Sequence, residues 1–161
     1  MTLAHDLYAE TNPAFCVYAL AAFINAYVQV NEIGPEMPLA YIALPIALSE
    51  DLAGSFKGTN KRTGLLEWLE RTPQMSLGFG ERVNASLHIV TPAVRYGCST
   101  QIFILGVDGR LRPGTKRVKA AAVGRLDTSS AGVIRRAGRL GAWLATAGST
   151  RNIFGILGLT V

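Results

Sequence analysis

The sequence predicts a mainly α-helical fold, in which several helices and a single β-hairpin share one core. Three observations lead there. Apolar residues recur at helical spacing in separated segments, at 12–27, 38–48, 64–71 and 133–147. Thr91-Pro92 is a helix-start signal, because the Thr hydroxyl can cap free N–H groups while Pro fits the first helical position. About ten residues later Gln101 to Val107 reads as β and ends at Asp108-Gly109, a dipeptide suited to a tight hairpin turn. Helix followed by hairpin is the order of a winged helix.

The first helix is entered at Asn12-Pro13 and carries Phe15, Ala19, Phe23 and Tyr27 at i, i+4 spacing. Gly34-Pro35 breaks it. MPLAYIALPIAL follows as a shorter apolar helix interrupted by Pro45, SFKGTNKRTG as a polar loop, and GLLEWLERT as a helix with Leu65, Leu66, Trp68 and Leu69 facing inward until Pro73 closes it. A short helix weakened by Gly78 and Gly80 is expected before the one that begins near Thr91. RPGTKRVKAAAVGR has no apolar period and reads as a mobile cationic connector. From about Asp127 a long helix resumes, its Val133, Ala137, Leu140, Leu144 and Ala147 forming a packing stripe beside Gly132, Gly138 and Gly141, which admit a close backbone. Gly148 is a natural stop, Ser149 a natural cap for the final RNIFGILGL segment.

These elements suit a single domain over 1–161, with an acidic apolar helical part at 1–56, a winged-helix-like part with its basic connector at 57–125, and C-terminal helices at 126–161. Charge divides the same way. Residues 1–56 hold six acids and no Lys or Arg, whereas 57–161 hold all sixteen bases and five acids, so the chain is electrically bipolar. Mean hydropathy is +0.26, but the run Pro13–Val30 is interrupted by Asn25 and Gln29 and flanked by acids, which points to a buried helix and away from a membrane span. The acidic N-terminus lacks the basic, then apolar, order of an export signal. Cys16 and Cys98, each in an apolar helical context, read as buried free thiols in a cytoplasmic protein.

Residue types for catalysis are scarce. His5 lies near the terminus and His88 inside ASLHIV reads as structural; no His, Cys, Asp or Glu set has metal-ligand spacing, and GTNKRTG lacks the Gly-Lys-Ser/Thr ending of a phosphate-binding loop. No enzyme activity, metal or cofactor is expected. The bases point instead to phosphate contact: Arg95 on the Thr91 helix, Arg110, Arg112, Lys116, Arg117, Lys119 and Arg125 along hairpin and connector, and Arg135, Arg136 and Arg139 on the long helix. Apolar side chains expected at protein interfaces are Phe15, Phe23, Tyr27, Trp143, Ile153, Phe154 and Leu157.

Taken as a set, NPAFCVYALAAFINAY at 12–27, PLAYIALPIAL at 38–48, KRTGLLEWLERTP at 61–73, TPAVRYG at 91–97 with DGRL at 108–111, and AGRLGAWLATAGSTRNIFGILGL at 137–159 resemble the middle components of three-component ABC systems, prokaryotic operons directed against phages or plasmids. The similarity covers almost the whole length. It implies a non-catalytic adaptor between an ATPase like those of structural-maintenance-of-chromosomes and double-strand-break-repair proteins and an effector, commonly a nuclease, with double-stranded DNA contacted inside the complex. The alternative reading from the residues is a free-standing winged-helix regulator, which would need base-reading side chains on the Thr91 helix. That helix offers only Arg95, Ser99 and Gln101.

Overall fold

The computed structural model describes residues 12–119, 122 and 124–159. His5 of the sequence reading lies outside them, as do two of the six acids of 1–56, Asp6 and Glu10. Seven α-helices and one two-stranded sheet are present among the described residues: α1 (Pro13–Val30), α2 (Ala40–Leu48), α3 (Glu50–Ala53), α4 (Gly64–Arg71), α5 (Phe79–Ser99), β1 (Phe103–Leu105), β2 (Leu111–Pro113), α6 (Thr128–Thr146) and α7 (Thr150–Ile156). Short 3₁₀ turns at Met37–Leu39, Gly54–Phe56 and Pro73–Ser76 link them.

Helix α1 is the axis of the molecule. Asn12 accepts a hydrogen bond from the Ala14 N–H at 2.9 Å and Pro13 occupies the first turn, as the sequence indicates. Along α1, Cys16, Val17, Ala19, Leu20, Phe23, Ile24 and Tyr27 are buried, because α6, α5 and α2 cover it on different sides. By length and composition Pro13–Val30 could cross a membrane, yet here it is the central helix of a hydrophobic core. The apolar turn and helix at Met37–Leu48 meet the following Glu50–Phe56 at a bend of 82°.

Packing of α6 on α1 is the most extensive in the fold. Val133, Ala137, Leu140 and Leu144 face inward as the spacing predicts. A Cβ at Gly141 would overlap the carbonyl oxygen of Phe23, so glycine is what allows the two backbones to touch. Gly138 is in ordinary contact range of Ala22, and Gly132 faces the side chains of Arg135 and Arg136 instead of a backbone, so of the three glycines only Gly141 makes the predicted close approach. Asp127 and Ser149 cap α6 and α7 by accepting from Ser130 N–H at 2.7 Å and Asn152 N–H at 3.1 Å.

The Thr91 region departs from expectation. No helix starts there: α5 runs unbroken from Phe79 to Ser99 with Pro92 inside it, absorbing the short helix expected before it. Val90, Ala93 and Val94 are buried on either side of Pro92, and this packing outweighs the missing backbone donor. Thr91 caps nothing; its hydroxyl shares a 2.7 Å hydrogen bond with the Tyr41 hydroxyl on α2.

The expected hairpin is present, pairing Phe103 with Pro113, Ile104 with Arg112 and Leu105 with Leu111. Its loop is Val107-Asp108-Gly109, closed by Gly109 N–H to Gly106 O at 3.0 Å and Gly106 N–H to Arg110 O at 2.8 Å. Only Gly109 has a positive φ, +76°; the turn is therefore the three-residue kind with a left-handed glycine, not the two-residue turn in which both central residues are left-handed. On its outer side β2 is held by the segment after α1, through Leu111 N–H to Pro35 O at 2.8 Å and Met37 N–H to Gly109 O at 2.9 Å. The hairpin is stitched to the segment after α1 by this pairing. Helices with one antiparallel hairpin are thus what these elements build, and they do not by themselves confirm a winged helix.

Candidate functional site

Five of the seven apolar residues assigned to interfaces belong to the chain's own core. Phe23, Trp143 and Ile153 have no accessible surface, while Tyr27 and Leu157 keep 4% and 1%. None of these can meet a partner in this conformation. Phe15 and Phe154 are half-buried and pack on the edge of the core.

Phe154 leads to the surface that sequence reading missed. Beside it lies an apolar cavity of about 460 Å³, lined also by Met37, Tyr41, Val83, Leu87 and Leu159. A second, of about 530 Å³, lies on the other side of Met37 and Tyr41 and is lined by Thr91, Val94, Arg95, Cys98 and Leu105. The lining residues of α5, from Gly80 and Val83 through Leu87 and Thr91 to Arg95 and Cys98, recur every three or four positions, so the two cavities lie end to end along a single helix face as an interrupted groove. Eighteen steps of helical rise, from position 80 to 98, give it a length of roughly 27 Å. The Tyr41–Thr91 hydrogen bond crosses its middle. Leu87, Ile104 and Leu105 are 44–47% exposed along it, and Val107 stands fully exposed at the hairpin tip nearby in sequence. Burial pushes the Cys98 thiol above its ordinary pKa, partly offset by the Leu105 N–H, so this thiol is a poor nucleophile.

The predicted phosphate contacts separate into committed and uncommitted cations. Arg110 donates to Gly34 O at 2.8 Å and to Glu36 at 3.5 Å, and lies against the Tyr27 hydroxyl. Arg112 is paired with Asp108, whose carboxyl these hydrogen bonds hold down at a pKa of about 2. Both arginines brace the hairpin. Arg136 gives two hydrogen bonds to Ala47 O, at 3.0 and 2.7 Å, and sits 3.5 Å from Glu50. Arg139 donates to Thr59 at 3.0 Å. Lys116, Arg117, Lys119, Arg125 and Arg135 are exposed. The connector is anchored at its start, since Lys116 N–H and the Thr115 hydroxyl bond to Gln101.

Arg95 is exposed, but it borders the groove on a continuous helix whose neighbouring Val94 is buried and whose Thr91 is tied to Tyr41. Gln101 has a left-handed φ of +61° and its side chain is engaged by Thr115. No free recognition helix is formed, which removes the support for a base-reading regulator. Among the described residues no group of three His, Cys, Asp or Glu could hold a metal ion, and His88, read as structural, is exposed on α5.

A family model described as the ABC-three component (ABC-3C) system Middle Component 3 matches residues 2–161. No curated protein and no solved structure matches the chain.

Proposed function

The chain belongs to the ABC-three component (ABC-3C) system Middle Component 3 family, and from that premise we propose that it is a non-catalytic adaptor joining the ATPase of such a system to its effector. Membership makes it a component that works with others of its system. The finer assignment is supported by one observation above all, the roughly 27 Å apolar groove along α5. A groove of that length matches the apolar face of a helix of about eighteen residues, recognised through anchors at i, i+3, i+4 and i+7. The ATPase, expected to be rich in long helices, is the partner assigned to it. Arg95 at one end calls for an acidic side chain on the incoming helix, which would fix its direction. Phe154 remains an interface residue in this reading.

The effector and double-stranded DNA are assigned to other surfaces. For DNA the exposed bases Lys116, Arg117, Lys119 and Arg125 are the phosphate contacts, without sequence preference.

Co-expression with an ATPase component of an ABC-3C system tests the reading. In the variant Leu87→Asp with Arg95→Glu, both sites exposed, the helical circular dichroism should persist while co-purification falls at least about tenfold. Undiminished recovery of the complex with that variant would exclude the groove as the ATPase site.

A further inference from the structure

A small cationic pocket lies outside the hairpin and its connector. It encloses about 190 Å³ and is bordered by Phe56, Lys57, Gly132, Arg135, Arg136 and Arg139. Two elements supply these cations, α6 and the loop after α3, so the cluster is a product of the fold and not a run in the sequence.

The loop is held rigidly enough to place Lys57. Phe56, its neighbour, is buried and stacks on Trp143 with rings 5.6 Å apart and nearly parallel, while Trp68 tilts against both. Trp143 Nε1 donates to Asn60 O at 2.9 Å, and Trp68 Nε1 to the Ser55 hydroxyl at 3.0 Å. The two indoles therefore clamp the loop from 55 to 60 against the core. On the opposite wall, Arg136 is locked by its two bonds to Ala47 O, and the hydroxyl of Thr59 orients Arg139. Gly132 leaves a space in which a Cβ would come within 3.1 Å of Arg136 Nη1.

Charge in the pocket is only partly neutralised, at Arg136. Glu50, itself half-exposed, reaches Arg136 at 3.5 Å. Among the described residues no ion pair is made by Lys57, Arg135 or Arg139. Several guanidinium and ammonium groups around one cavity repel each other until an anion joins them, and planar guanidinium groups match the oxygen spacing of phosphate. The volume is below the roughly 300–1,000 Å³ of pockets that enclose a whole small-molecule ligand. It suits a single phosphate group with the rest of its molecule outside.

We propose that Lys57, Arg135 and Arg139, on the fixed wall made by Arg136, form a binding site for one phosphate group. The site is separate from the connector contacts and does not depend on the adaptor reading.

The full-length chain is titrated with inorganic phosphate by calorimetry and with a fluorescent random-sequence duplex by anisotropy. Lys57→Gln with Arg135→Gln removes two exposed cations of the pocket; Lys116→Gln with Arg117→Gln removes the same charge from the connector. Saturable phosphate binding is expected, weakened about tenfold or more for each pocket cation removed and changed less than about twofold in the connector variant. If the phosphate belongs to nucleic acid, the pocket variant also loses duplex affinity, and its log–log salt slope flattens by about 2. If duplex binding is unchanged while inorganic phosphate is lost, the pocket serves a free phosphate ligand. Either result supports the site. Absence of saturable phosphate binding, or equal losses in the pocket and connector variants, overturns it. Recovery of the ATPase complex, tested at Leu87 and Arg95, is scored separately, so failure of one proposal leaves the other readable.

Discussion

At Gly141 one hydrogen atom decides how closely two helices approach. The Phe23 carbonyl occupies the place of a Cβ, and neither group is a flexible side chain that could swing aside. Gly141→Ala should therefore destabilise the protein by about 2–3 kcal/mol despite the better helix propensity of alanine. Thermal unfolding would show it as a fall of roughly 5–10 °C in Tm. Arg110 is the second informative residue, because its bonds to Gly34 O and Glu36 tie the hairpin to the segment after α1. Burial raises the Tyr27 phenol above its ordinary 10, while Arg110, by charge and hydrogen bond, pulls it back and Glu36 adds to the rise. A raised tyrosine stabilises the fold below the unfolded value near 10 and ceases to do so as pH climbs through the folded one. Arg110→Gln should move the alkaline tyrosinate transition at 295 nm to still higher pH and cost about 1–3 kcal/mol in a urea titration at neutral pH. A variant in which both quantities match the parent would show that Arg110 braces nothing.

Among the elements, those fixed by local chemistry are the ones that sequence makes legible. Asn12-Pro13, Asp127 and Ser149 start helices where they should, since a cap needs only its own N–H neighbours. Thr91-Pro92 carries the same start signal and is misleading. Whether a helix begins or continues at Pro depends on what covers its flanks, and Val90, Ala93 and Val94 are covered by residues distant in sequence. Leu66 is a second departure: it lies 100° from Leu65 around α4 and is 60% exposed where Leu65 is buried. The α5–α2 contact across the groove has its own test. Tyr41→Phe removes the hydroxyl that meets Thr91 at 2.7 Å. It should lower stability by about 1 kcal/mol in denaturant unfolding, and a cost within error of zero would mean that water replaces the bond on both sides.

For the whole molecule, the division of charge was visible in the sequence, but its use was not. Arg110 and Arg112 look identical to Lys116 and Arg117 in a linear reading; only the fold pairs the first two with Glu36 and Asp108 and leaves the others exposed. The groove was hidden likewise, because Tyr41 and Thr91 are fifty positions apart and each alone reads as an ordinary helix residue. If all of Lys116, Arg117, Lys119 and Arg125 touch phosphates in the assembled complex, neutralising the four should flatten its log–log salt slope on duplex DNA by about 3 to 4, equally for every sequence. A slope that does not change would remove the connector from the DNA surface. The aromatic clamp beside Lys57 has a further consequence. Trp68 and Trp143 are the chain's two tryptophans, both without solvent exposure and 5.7 Å apart. All indole emission therefore arises from one spot against Phe56, giving the protein a built-in optical gauge. A red shift in that light would report water reaching the Lys57 loop, even while far-ultraviolet dichroism still records intact helices elsewhere.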